Sequence, residues 1–458
     1  MKMIVQILIL LVFVSGMNNF FLLATPSLAG ENEIPTLSND STILEHPNRP
    51  VSSNEFVSFD NQLSSKNNFE IQLKQDAVPI ENSFYQFEFP NNQEVLYRKE
   101  LDSHLETCRI FLDGTFFAEF RTNYRGTPIV WPICSENGTI MTRSYPMIED
   151  EKIDELPESN DYEIQYKNVI QNALVASVAE SKDHPHQRSL WFTHGNVNDC
   201  DFWALTDSSI QSKITYIDSF LYENKGQITK GVRLFVDGHW INGKTKQPLC
   251  GERRVISFGQ IKSEDLSIRF IDYNVSLIAI DESVSFGDTK EGTFGVRVPG
   301  SMDVDATRRN SNWKGQILNN WGDLNEKAWG KRAEWVDYSG TVARRLNSDE
   351  IQKYFQKEKK DDFELTTAGI TIMNSPQSFR FPSWYHVRTY GLFAVNPFGW
   401  KDFEPERKNE VDGSYLLTKE KRENFDYRVV FHDGQFNSDQ LQALFDNYCF
   451  MLKPVENP

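Results

Sequence analysis

Cys108-Arg-Ile-Phe-Leu-Asp-Gly-Thr-Phe-Phe-Ala-Glu-Phe120 reads as two strand-like runs joined at Asp113-Gly114. Asp-Gly accepts the positive φ angles of a type I′ turn, whose twist matches that of the strands on either side. The stretch therefore predicts a β-hairpin, and its period of two dominates the rest of the chain. Arg233-Leu-Phe-Val-Asp-Gly-His-Trp-Ile241 carries the same pattern around Asp237-Gly238 and predicts a second hairpin. Further strands are expected at Arg253–Phe258, Leu266–Ile280, Thr293–Val298, Ala333–Val342, Ala368–Met373, Trp384–Val395 and Tyr427–Phe431. Many strands divided by Gly, Asn and Asp turns make a mainly β chain, a large antiparallel β-sandwich with a few peripheral helices.

Two segments have a helical pattern. Ser348–Lys360 is charged and expected to face solvent. Asp439–Leu452 places Leu441, Leu444, Phe445, Tyr448 and Met451 at helical spacing behind a Ser438/Asp439 cap, as a helix closing the C-terminal edge would. Insertions are expected near 154–180 and 344–366.

At the N-terminus, Met1-Lys2-Met3 precedes an apolar run from Ile4 to Val14, and Ser27-Leu28-Ala29 puts small residues before Gly30. One basic residue, an apolar core and a small-x-small end predict a secretory signal peptide over 1–29, cleaved after Ala29. An uncleaved anchor from Ile4 to Ala24 is the rival, weakened by Gln6, Gly16, Asn18 and Asn19. Residues 30–67, rich in Asn, Ser, Pro and Glu, read as a flexible leader, with structure beginning near Phe69. About 430 residues follow the signal peptide, and of these 68–458 is expected to form one sandwich domain of a secreted or periplasmic protein.

A net charge of −17 without a basic tract argues against nucleic acid and anionic lipid as partners. No G-x-S-x-G nucleophile elbow is present. Cys108, Cys134, Cys200, Cys250 and Cys449 are odd in number and lack a C-x-x-C pair, so one or two disulfides are allowed and a Cys-based zinc site is not expected.

Asp183-His-Pro-His-Gln-Arg-Ser-Leu-Trp-Phe-Thr-His-Gly195 concentrates three of the eight histidines beside Arg188 and Trp191. Histidine titrates near neutrality and is the commonest metal ligand, so acid/base work, a metal or an anionic ligand are all open here. Pro185 favours an extended or turn conformation in which His184 and His186 point to one side, as in His-x-His metal sites. A divalent metal would need a further His or carboxylate, with His194, His386, Glu291 or Asp337 as candidates. In an extended strand, Trp384, His386, Arg388 and Tyr390 would share one face, and Arg297 and Glu291 would alternate against Phe294, Val296 and Val298. Such faces would floor a groove; a satisfied hydrogen-bond ladder outside the sheet is the plainer alternative. Between Gly315 and Tyr338, Trp321 with Asn320, Lys331 and Asp337 offers the flat rings and polar groups that a sugar needs.

Arg143-Ser-Tyr-Pro-Met147, the segment from Asp183 to Gly195, Gly330-Lys-Arg-Ala-Glu-Trp-Val-Asp-Tyr-Ser-Gly-Thr341 and Arg388-Thr-Tyr-Gly-Leu-Phe-Ala-Val-Asn-Pro-Phe-Gly399 together resemble the secreted bacterial family labelled PmoA-like, after a methane oxygenase, over about residues 105–435. Gln187, where that family often has His, and the two insertions depart from it. The family in turn is similar to galactose-mutarotase-like supersandwiches, which implies a sugar-binding sheet using His with a carboxylate. On this reading His194 or His386 is the acid/base, Glu291 or Asp337 its partner, and His184, His186, Arg188, Trp191, Arg297, Asn320, Trp321, Lys331, Trp384, Arg388 and Tyr390 hold the ligand. A carbohydrate-active hydrolase, lyase or epimerase is expected; the alternatives are a non-catalytic carbohydrate-binding protein and, more remotely, a metal-dependent oxygenase.

Overall fold

A computed structural model describes residues 84–89, 93–99 and 106–452, apart from 207, 225, 265 and 359–362. The expected signal peptide, leader and start at Phe69 lie outside the described residues. Two antiparallel sheets face each other. The first runs β1 (Phe84–Phe89), β2 (Gln93–Lys99), β3 (Thr107–Leu112), β4 (Thr115–Tyr124), β5 (Thr127–Ile133), β6 (Leu190–His194), β12 (Gly292–Arg297), β18 (Leu392–Asn396), β17 (Trp384–Val387), β14 (Lys331–Arg332). Across the second the order is β13 (Gly315–Asn319), β15 (Trp335–Ala343), β16 (Leu365–Asn374), β20 (Arg422–Asp433), β10 (Ser267–Ile278), β9 (Pro248–Lys262), β8 (Gln227–Asn242), β7 (Ser208–Asn224). A ribbon of β11 (Val284–Phe286) and β19 (Tyr415–Leu417) stands apart. The mainly β sandwich expected from the two-residue period is what the chain forms.

The hairpin at Asp113-Gly114 is present, with φ of 52° and 69° at its two turn residues. The second expected hairpin is not. β8 passes straight through Asp237-Gly238, pairing Gly238 with Ser212 on one side and Glu252 on the other. Arg253 reaches across from β9 to bond the Asp237 carboxylate at 2.7 Å, and partners on both edges outweigh the local turn preference. The expected strand over Trp384–Val395 is likewise two strands, β17 and β18, reversed by Gly391 at φ 102°.

Between the sheets, Leu190, Phe192, Phe294, Val296, Tyr385 and Val395 of the first meet Leu234, Phe258, Tyr273, Ile370 and Val429 of the second. The outer face of the first sheet is covered too. There α2 (Asp161–Ser177), one of the expected insertions, lays Tyr166, Val169, Ile170 and Ala173 against Phe116, Trp131 and Ile129, behind the short α1 (Met147–Asp150). The helix expected at Ser348–Lys360 is α3 (Ser348–Gln356), and it buries Ile351 and Tyr354 rather than only facing solvent. After α4 (Trp400–Phe403), the C-terminal α5 (Ser438–Met451) seats Leu441, Leu444, Phe445 and Tyr448 on the second sheet, each worth about 1.5–3 kcal/mol of burial, while Met451 is exposed. Its cap is Asn437, in a capping box with Gln440, one residue before the expected Ser438. None of the five cysteines is joined in a disulfide.

Candidate functional site

On the outer face of the first sheet, strand register aligns His386, Ala394, Gly295 and Trp191 in one row. His386 and Trp384 point outward because their neighbours Tyr385 and Val387 are in the core. With Ala394 and Gly295 in the middle, the row is low at its centre and bulky at both ends. Gly295 is needed there: a Cβ would come within 2.7 Å of the Trp191 ring.

Two loops meet above this row. The turn after β17 carries Arg388 and Tyr390, which are therefore not strand residues in line with His386 but stand at its end. Opposite, Pro185-His186 forms a turn closed by the Gln187 N–H donating to the His184 carbonyl at 3.0 Å. His184 adopts a φ of 42°, so of the extended and turn conformations expected around Pro185 the turn is the one formed. Asp183 holds it there: its carboxylate lies 3.0 Å from His184 Nδ1 and accepts from Arg143 at 3.0 Å and Arg297 at 3.4 Å. The His184 ring stacks on Tyr390 at 5.4 Å and 9°.

Contacts then run without a break. Tyr390 is faced by Arg297 at 4.8 Å and Arg388 at 5.8 Å; Arg388 also faces Trp329 at 5.8 Å, and Trp329 meets His386 edge-on at 6.3 Å. Segments two hundred residues apart in sequence thus meet on this face, with His184 linked through Tyr390, Arg388 and Trp329 to His386. His186 lies 5.7 Å from His184, and burial, with the charges of His184 and Arg188, pushes it down to about 4. Burial raises the carboxyl of Glu291 above its ordinary range, opposed by Lys290 and His184 and reinforced by Asp402 and Asp201.

The His386 ring has a defined tautomer. Its Nδ1 lies 2.9 Å from the Lys290 carbonyl, which only accepts, so Nδ1 carries the proton and Nε2 keeps its lone pair in the neutral ring. Burial depresses its pKa to about 4, so the ring is neutral at pH 7. Beneath the loops, the buried hydroxyls of the cross-strand pair Thr193 and Thr293 and the indole N–H groups of Trp191, Trp203 and Trp329 have no hydrogen-bond partner among the described residues.

Several expected site residues are elsewhere. His194 follows Leu190 and Phe192 onto the inner side, packs on Phe398 at 4.5 Å and bonds the Gly287 carbonyl at 2.8 Å; it is a core histidine, not an acid/base at this face. Asp337 belongs to the second sheet, where its Oδ1 accepts from Thr371 at 2.8 Å and lies 3.0 Å from His432 Nε2. Arg188 spends its guanidinium on the Tyr124, Arg125 and Pro185 carbonyls and anchors the loop. Lys331 pairs with Tyr385, on the side away from His386; Arg332 instead takes the outer side, 4.6 Å over Trp384. Trp384 is itself buried against Trp400 and Phe403. Asn320 caps the Glu334 N–H, and Trp321, 68% exposed, donates to the Arg332 carbonyl near the sheet edge.

Among the described residues, no three His, Cys, Asp or Glu side chains gather as a metal would require. The His184/His186 pair lacks a third ligand because His194, which is close in sequence, points through the other side of the sheet. Sequence reading missed Asp183, Arg143 and Trp203 as supports of the site. Asp183 and Arg143 stood inside the quoted motifs, but nothing in their spacing showed that they would meet.

The fold and this face define a two-sheet β-sandwich protein with a cluster of aromatic, arginine and histidine side chains on the outside of one sheet. The chain belongs to DUF6807, a family of unknown function, which it matches over residues 107–446. No curated protein matches it.

Proposed function

We propose that this is a secreted, carbohydrate-active protein that binds a sugar or glycan over the outer face of the first sheet and acts on it as a hydrolase, lyase or epimerase. The observation carrying this reading is the continuous run from His184 through Tyr390, Arg388 and Trp329 to His386. Ring faces suit the CH face of a pyranose, and amide, hydroxyl and guanidinium groups suit its oxygens. His386, with a free Nε2 lone pair, and Glu291, with a raised carboxyl, give a base and an acid in one site. The quoted motifs resemble the PmoA-like family, and the similarity of that family's fold to galactose-mutarotase-like supersandwiches supports the sugar class by analogy. The oxygenase meaning of that label requires membrane helices, and among the described residues no helix is long and apolar enough to cross a membrane.

A broad glycan panel, scored for both binding and product, tests the reading. Glu291→Gln and His386→Gln are expected to lower turnover about 10²–10⁴-fold each while binding is kept. A second reading, a non-catalytic binding protein, is favoured by the depressed basicity of His386. It prevails if the parent binds a glycan of the panel and forms no product from any of them, while both substitutions weaken that binding.

Export is tested separately. Expressed with its leader, the protein is expected outside the cytoplasm with Gly30 as the first residue on N-terminal sequencing. A retained Met1 would favour the anchor reading.

A further inference from the structure

We propose that the ligand of this face is an acidic glycan whose anionic group is seated on Arg388. The proposal rests on the sugar reading above and narrows it. Arg388 is half-buried on the turn between β17 and β18, with Cζ 5.8 Å from the ring centres of both Trp329 and Tyr390. Its backbone is bonded, through the carbonyl to the Tyr338 hydroxyl and through the N–H to Leu392. Its guanidinium, among the described residues, makes no hydrogen bond and no ion pair; its contacts there are the two rings.

The other cations of the loops are occupied. Arg297 donates to Gln187 and Asp183, Arg143 to Asp183 and three carbonyls, and Arg188 to carbonyls alone. Arg388 is thus the guanidinium of this site left with its donors unspent. Five N–H groups in a planar fork lose water when half-buried, and two ring faces return only part of that loss. A carboxylate or sulfate would meet the fork with two parallel charge-assisted hydrogen bonds. Such a group would lie beside His386, on which Arg388 and Lys290 both already act. The ring contacts set the plane of the fork before ligand arrives, which lowers the ordering cost of binding.

Calorimetric titration of the full mature protein tests this, with five probes: galacturonate and glucuronate oligomers, the carboxyl-reduced neutral counterpart of each, and a sulfated oligosaccharide without uronate. An acidic oligomer is expected to bind about 10–100-fold more tightly than its neutral counterpart, the range of a charged hydrogen-bonding group. That preference should weaken with added salt. The uronate and sulfate arms identify which anionic group is used. Arg388→Gln is expected to remove most of the preference, with folding checked by thermal melting. If that variant does not fold, Arg388→Lys, which keeps the charge and loses the fork, is expected to bind the acidic oligomer several-fold more weakly than the parent. Neutral sugars bound as tightly as acidic ones, a preference undiminished in Arg388→Gln, or acidic binding as tight in Arg388→Lys as in the parent, would overturn the proposal and leave the sugar reading standing. No binding of any sugar by the parent would overturn both.

Discussion

Glu252→Leu is expected to lower the unfolding free energy by about 3–5 kcal/mol, read as a fall in the urea midpoint. Glu252 and Arg254 lie on β9 inside the sandwich, both fully buried, with carboxylate and guanidinium 2.8 Å apart. The carboxylate also accepts from the Trp240 indole at 2.7 Å, and Arg254 bonds the Tyr273 hydroxyl at 2.6 Å. Removing Glu252 strands a guanidinium in the core with, among the described residues, only Tyr273 and the Phe192 carbonyl as acceptors. The double change Glu252→Leu with Arg254→Met removes both charges and should cost far less than the single one. Equal losses in the single and double variants would show that packing, not the stranded charge, sets the effect.

Stability is also expected to fall as pH drops from about 6.5 to about 4, by roughly 3 kcal/mol for each of His194 and His386. Burial holds both rings at about 4 in the fold. In the unfolded chain each takes up its proton near the ordinary histidine value. The unfolded state therefore binds more protons throughout this window, and stability declines as pH falls, whereas above the window the contribution is constant. Asp303, whose carboxyl burial raises to about 6, acts in the opposite sense over part of the range. The comparison that isolates the histidine is therefore parent against His194→Gln, whose amide can still donate to the Gly287 carbonyl. Urea titrations at pH 7 and pH 4.5 should show a smaller acid loss in the variant; identical losses would count against the assignment.

These two groups of residues differ in how visible they were. His386 was readable because period two puts it opposite core residues, Tyr385 and Val387, and its strand is real. His194 obeys the same alternation, yet clustering in sequence with His184 and His186 drew it into the wrong site. One strand separates a loop histidine from a core histidine, and sequence proximity carries no information about which side of a sheet a residue takes. Asp337 was misplaced for a related reason: its neighbours Trp321 and Lys331 lie near the edge of the first sheet, while Asp337 itself is already in the second.

Local physics determined what the sequence alone could determine. Apolar alternation set the strands and their inward faces, Asp113-Gly114 set a turn needing two positive φ angles, and the spacing of Leu441, Leu444, Phe445 and Tyr448 set the C-terminal helix. Each depends on residues within a few positions of one another. The tertiary structure decided everything that depends on pairing across the chain. It turned Asp237-Gly238 into mid-strand, because β7 and β9 satisfy both edges of β8 there. Likewise it folded Trp384–Val395 back on itself at Gly391, bringing Arg388 and Tyr390 over the row of His386, Ala394, Gly295 and Trp191. Strand order and loop placement are set by the burial of two whole sheets against each other and against α2 and α5. That energy is collective, so no short window of sequence contains it.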